Sequence, residues 1–262
     1  MSGILACLYG GIAYLVFFAT FLYLIGFVGD LWVPKSVSSG GGGGPLWFAT
    51  AVNTALLVAF GLQHSTMARP GFKRWWVRFV PVSIERSTYV LVASLVLIAL
   101  FWLWQPMPSV IWSVQQPWAV TALYALFAAG WLIVLLATFH IDHFELFGLR
   151  QVYARLRGRS IPRPRFMTPF FYRVVRHPLN AGFLLAFWAA PEMTAGRLLL
   201  AMVWSAYILF SIPLEERDLI GSFGDDYRRY RERVPGLVPL AKGMGTAARS
   251  REENRANPIS RL

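Results

Sequence analysis

The chain has 262 residues, of which 56% are hydrophobic and 16% aromatic, with 11 Trp and a formal net charge of +12. So apolar a composition excludes an ordinary water-soluble domain and points to several bilayer crossings. The positive charge does not indicate nucleic acid, because the basic residues lie in loops between apolar runs, where membrane topology places them and where anionic lipid is the expected partner.

The expected fold is all-α: a polytopic membrane bundle of four spans and a C-terminal helical hairpin, giving five or six membrane segments. The first span covers residues 4–29 and contains Cys7, the only cysteine, which reads as a small packing residue and leaves no disulfide framework or Cys-based zinc site. Ser38, Ser39 and the five glycines after them read as a flexible linker, since the Gly-Lys-Ser/Thr ending of a phosphate-binding loop is missing. The second span covers residues 46–62 and is followed by His64 and by Arg69, Lys73, Arg74, Arg78 and Arg86 against Glu85. The third covers 89–104 and the fourth 118–139. After it come His140, Asp142, His143 and a loop of eight arginines from Arg150 to Arg176, with only Asp142 and Glu145 opposing them. The two intervening loops carry Lys35 as their only basic residue. The positive-inside rule then places both basic loops and both termini in the cytoplasm; the expected location is a bacterial inner membrane.

Residues 181–214 are too long for one span, and Pro191-Glu192 and Gly196-Arg197 interrupt them. A hairpin is expected, each arm short for a full crossing, tilted or partly re-entrant. Residues 224–235 form a charged helix suited to the membrane surface, with Tyr227 and Tyr230 on one side. Residues 1–241 read as a single domain and 242–262 as a disordered tail. Oligomeric state leaves no mark on the sequence.

Chemistry gathers around the hairpin, in about 162–240. Tyr172 precedes Arg176-His177-Pro178-Leu179-Asn180-Ala181-Gly182, and Glu215-Glu216 follows the last apolar arm. Pro178 suits the first position of a helix, and the positive end of that helix, beside Arg176 and His177, favours an anionic ligand group. A carboxylate behind the hairpin is placed to balance an ammonium. Taken alone, a basic pair before a proline is a common membrane-edge feature. With Tyr172, Gly182 and Glu215 in step, the pattern resembles membrane methyltransferases of the isoprenylcysteine carboxyl methyltransferase type, whose motif reads Arg-His-Pro-x-Tyr-x-Gly and then Glu-Glu. The resemblance implies S-adenosyl-L-methionine as cofactor, held by Tyr172, Arg176, His177, Asn180, Gly182 and Glu215, the first glutamate of the pair. Two departures stand out: Asn180 where the family has Tyr, and Glu192 in the hairpin turn.

Five further blocks, at residues 63–70, 72–76, 85–90, 142–149 and 187–194, resemble thiol methyltransferases of the nurim family. That resemblance implies methylation of methanethiol, a small volatile thiol, to dimethyl sulfide, with hydrogen sulfide and other small thiols as related acceptors. Such an acceptor reacts as its thiolate, which requires a proton acceptor. His64 is the first candidate and His143 the second. The spacing of His140, Asp142 and His143 is a weak metal signal, and no metal is expected. Isoprenylcysteine or phospholipid methylation stays open, as does a non-catalytic, nurim-like membrane protein.

Overall fold

The computed structural model describes residues 2–41, 44–160 and 166–239, so the expected tail at 242–262 lies outside the described residues. Two apolar helices open the chain, α1 (Gly3–Gly29) and α2 (Leu46–Ala68), and a short α3 (Pro70–Trp76) follows with Pro70 in its first turn. Next come α4 (Val82–Leu103), the strand β1 (Val110–Ser113) and α5 (Pro117–Ile141). Three short helices, α6 (His143–Leu146), α7 (Leu149–Leu156) and α8 (Phe171–Val174), lead to α9 (Pro178–Trp188). The strand β2 (Glu192–Thr194), α10 (Ala195–Phe223) and α11 (Asp225–Arg233) complete the order. Five of these helices, α1, α2, α4, α5 and α10, are long and apolar enough to cross a membrane. The protein is a polytopic helical membrane protein.

The hairpin is asymmetric, which corrects the expectation of two short arms. With 11 residues at about 1.5 Å each, α9 spans roughly half a bilayer core. With 29 residues, α10 is a full crossing. Pro213 and the charged run after it read as a helix end, yet the helix continues through Pro213 to Phe223. Polar residues do not stop a helix that has left the hydrocarbon. Glu215 and Glu216 therefore sit on α10 and point in directions about 100° apart.

The turn of the hairpin is built into the bundle. β1 and β2 pair antiparallel, Val110 with Thr194 and Ser113 with Glu192, a small ribbon in an otherwise helical protein. Two short strands some eighty residues apart, without a hairpin turn between them, give no sequence signal. The serines before the glycine run are anchored rather than flexible. Ser38 donates to Asp30 Oδ2 (2.9 Å) and lies 2.8 Å from Thr194 Oγ1, Ser36 bonds Asp30, and the buried Trp104 indole donates to Val37 O (3.1 Å).

Beneath this ribbon, Phe27, Leu57, Leu100, Trp104, Trp131, Phe187, Leu200 and Trp204 form the core. The most extensive helix contact joins α5 to α9. A Cβ added to Gly182 would lie 2.7 Å from Gly130 O and 3.0 Å from the Val134 nitrogen, so the two backbones touch. This meeting sets the depth of the site. Gly182 is level with Gly130 and Val134, which puts Pro178, one turn earlier, within about two turns of the basic-loop end of α5. Gly182→Val is expected to abolish recovery of folded protein, checked by size-exclusion of detergent extracts, whereas Gly221→Ala, with open space around its Cβ position, should be tolerated.

Candidate active site

Pro178 starts α9 and His177 precedes it in a non-helical conformation (φ −123°, ψ 62°). No side chain caps this helix end, so its first-turn N–H groups remain available at the positive end of the dipole. The C-terminal segment folds over the same place: Arg176 N donates to Pro235 O (2.8 Å) and His177 N to Gly236 O (3.0 Å). His177 is 5% exposed, with Nε2 3.1 Å from Glu216 Oε1 and Nδ1 3.6 Å from Glu215 Oε2.

The two glutamates have different tasks. Glu216 is buried and surrounded by cations, with Arg176 Nε at 2.7 Å, His177 Nε2 at 3.1 Å and Arg231 at 3.8 Å. Arg176 also donates to the carbonyls of Arg231 and Val234. Its guanidinium is therefore spent within the protein, tying α9, α10 and α11 together. The Glu215 side chain is 50% exposed and meets only His177 among the described residues at ion-pair range. Its carboxylate is also within charge-interaction range of Tyr172, His64 and Tyr207. It is the acid left free to meet a ligand.

Burial alone would lower the His177 pKa, but hydrogen bonds and charge from Glu215 and Glu216 outweigh it, and the net direction is upward. A raised folded pKa means that the pairing contributes its full stability below the ordinary value of 6.5 and loses it as pH climbs through the folded value. The thermal midpoint in detergent is thus expected to fall on going from about pH 6.5 into the alkaline range. His177→Gln should flatten that slope; an unchanged slope in the variant would contradict the assignment.

Around this pair stand three tyrosines. The Tyr230 hydroxyl donates to Tyr172 O (2.6 Å), and burial raises its own pKa to about 12. Tyr172 is partly buried, and burial followed by the Glu215 charge pushes its phenol pKa up, which keeps it a neutral donor. Tyr227 is 2% exposed and its hydroxyl has no partner among the described residues. The sequence reading left Tyr227 on a surface helix; instead it points inward, against Phe166 and Tyr230. Asn180, partly buried on the first turn of α9, makes no side-chain hydrogen bond among the described residues. Gly182 faces α5, and its role in this structure is helix packing.

These residues fit S-adenosylmethionine. An uncapped helix end suits its carboxylate, a free glutamate suits its ammonium, and the unpartnered Tyr227 hydroxyl, buried beside Glu216, lacks the hydrogen bond a ligand would give it.

The two histidines singled out for thiol activation differ sharply. His143 is buried, and burial lowers its pKa. Thr138 donates its hydroxyl proton to Leu135 O (2.7 Å) and so accepts from His143 Nδ1 (2.8 Å). That leaves Nε2 to accept from Tyr14 (2.8 Å). Both nitrogens are committed to the packing of α1 on α5. His64 is partly buried on α2, stacked on Phe60, and Tyr89 Oη is 2.9 Å from Nε2 and 3.0 Å from Nδ1. One oxygen equidistant from both nitrogens cannot lie along either lone pair, so this hydroxyl sits over the ring face. The in-plane directions of His64 are left without a partner among the described residues. His140 is a third case, its Nδ1 2.6 Å from Leu136 O within the same helix. Among the described residues, no group of three or more His, Cys, Asp or Glu side chains is placed to hold a metal ion.

No protein-family profile matches the chain, and no solved structure matches it significantly. Curated proteins do. Methanethiol S-methyltransferase of Mycobacterium tuberculosis is 54% identical over 239 residues, 91% of this chain and 98% of that protein. Methanethiol S-methyltransferase of Crocosphaera subtropica is 45% identical over 240 residues, 92% of this chain and 94% of that protein. Nurim of Sus scrofa is 33% identical over 179 residues, 64% of this chain and 67% of that protein. With near-full coverage at about half identity, an arginine–histidine–proline helix start and a glutamate pair folded into one site, the chain belongs to the methanethiol S-methyltransferase family.

Proposed function

We propose that this protein transfers a methyl group from S-adenosylmethionine to methanethiol, forming dimethyl sulfide, with hydrogen sulfide and other small thiols as secondary acceptors. Family membership supports the reaction class. The observation that carries the cofactor reading is the meeting of an uncapped α9 N-terminus with Glu215, the half-exposed acid of the pair, whose one ion-pair partner among the described residues is His177. The basic loops flank this end of the bundle, which supports a cytoplasmic-facing site in a bacterial inner membrane.

Bound S-adenosylmethionine would supply a methyl group on a positively charged sulfur. The chain's residues do the rest by holding and excluding. First-turn N–H groups of α9 hold a carboxylate, Glu215 balances an ammonium, and Tyr172 and Tyr227 donate hydrogen bonds. Glu216, Arg176, His177 and Arg231 fix these elements relative to one another, which keeps donor and acceptor in line. His64 accepts the thiol proton through an in-plane nitrogen. Its surroundings, Phe60 and Tyr89, exclude water and suit a one-carbon thiol.

Cells without endogenous dimethyl sulfide production, expressing the chain and fed methanethiol, should release dimethyl sulfide into the headspace, and the Glu215→Gln strain should release much less. Methylation of an isoprenylated cysteine in place of the small thiol would move the protein to a different acceptor class. At the position that departs from the family pattern, Asn180→Tyr is expected to retain or raise the methylation rate in isolated membranes. Complete loss would mean that the pocket is shaped around the amide.

A further inference from the structure

Next to the candidate active site, and outside it, a cavity of about 330 Å³ opens between the segment leading into α8 and the outer face of α11. Its walls include Arg173, Arg229 and Arg233, against Asp226 as the only acid. The ion pair of Arg229 with Asp226 (2.6 Å) uses up that acid. Arg173 spends its Nε on Thr168 O (3.2 Å), leaving its terminal N–H groups uncommitted, and the Arg233 side chain has no partner among the described residues. Two guanidinium groups thus face one cavity with no carboxylate left to neutralise them. Planar, multiply donating cations are matched by the oxygens of a phosphate.

The same segment fixes the cavity's depth. Met167, Phe170 and Val174 expose 61%, 67% and 49% of their surface. Phe170 lies against His140, on the last turn of α5. Apolar side chains bared at the end of a membrane span belong in the acyl boundary, which sets the arginines beside them at headgroup level. Free phosphate would need no such apolar flank.

We propose that this cavity binds the phosphate headgroup of an anionic phospholipid. The Tyr230 ring lines the cavity while its hydroxyl holds Tyr172, and Val234 lines it while its carbonyl holds Arg176. A bound headgroup therefore braces one wall of the active site. The assignment does not depend on which acceptor is methylated there.

Detergent-purified full-length protein, titrated with dihexanoylphosphatidylglycerol, dihexanoylphosphatidylcholine or inorganic phosphate and read by native mass spectrometry, tests it. The glycerol lipid should bind about tenfold more tightly than the choline lipid. The combined Arg173→Gln and Arg233→Gln changes should remove that preference. Arg233→Lys should keep most of it, and Arg74→Gln, in another basic loop, should leave it intact. Should the double variant not fold, Arg233→Gln alone must lower the preference. Equal binding of the two lipids, or an unchanged preference without both arginines, would overturn the site. Displacement of the glycerol lipid by an equal concentration of inorganic phosphate would assign the cavity to free phosphate and overturn the lipid.

Discussion

Glu215→Gln is expected to weaken S-adenosylmethionine binding roughly tenfold to a hundredfold, the range for losing a charged hydrogen-bond partner, while the protein stays folded. The neighbouring substitution should behave differently. Glu216 meets Arg176, His177 and Arg231 in a buried position, and removing its charge leaves the buried Arg176 guanidinium without a carboxylate and His177 without its nearer one. Glu216→Gln should therefore lower the thermal midpoint strongly, with weaker cofactor binding as a consequence of a loosened site. Calorimetric titration of both variants beside their melting curves separates the cases. Equal affinity losses with equal, unchanged melting would contradict the division of labour.

The second large effect concerns the proton. A cysteine thiol has a pKa near 8.5, and a simple alkanethiol, without cysteine's electron-withdrawing amides, is less acidic still, so at neutral pH very little of it is the reactive thiolate. If His64 takes that proton, His64→Ala should lose roughly a hundredfold to ten-thousandfold in turnover, the usual worth of a positioned base. Cofactor affinity should remain, and the residual rate should climb with pH as solution thiolate replaces the missing base. His143→Ala should instead act on stability, because both its nitrogens hold α1 to α5. Full turnover in His64→Ala, or a rate indifferent to pH, would remove His64 from the chemistry.

The first four spans were legible because bilayer thickness imposes a length, whereas the length of α10 was hidden by its continuation through Pro213. The start of α9 was legible for a local reason, since Pro178 fixes φ and has no N–H to lose. What stayed hidden depends on partners far apart in the chain. The β1–β2 ribbon joins segments with no turn between them, and the serines before the glycine run are ordered by Asp30 and Thr194. In sequence Glu216 belongs to a charge run of the kind usually solvated or paired at the interface, and Tyr227 lies on one side of a charged helix. Only the packing of α11 on α10 shows that one is the buried hub of the site and the other an inward hydroxyl. In sequence His64 ranks first and His143 second, with no contact to tell their surroundings apart. Thr138 and Tyr14 separate them, and neither could be assigned to His143 from the order of residues.

The central claim is that one site couples a Glu215-held cofactor to a small thiol, and methyl-group tracing tests it most directly. Purified protein in bilayer nanodiscs would be supplied with methyl-labelled S-adenosylmethionine and unlabelled methanethiol, and the headspace analysed for labelled dimethyl sulfide. Labelled product in one-to-one ratio with demethylated cofactor, strongly reduced by Glu215→Gln at a cofactor concentration that just saturates the wild-type protein, is the expected result. Cofactor that binds to the wild-type protein while no label reaches any small thiol would contradict it.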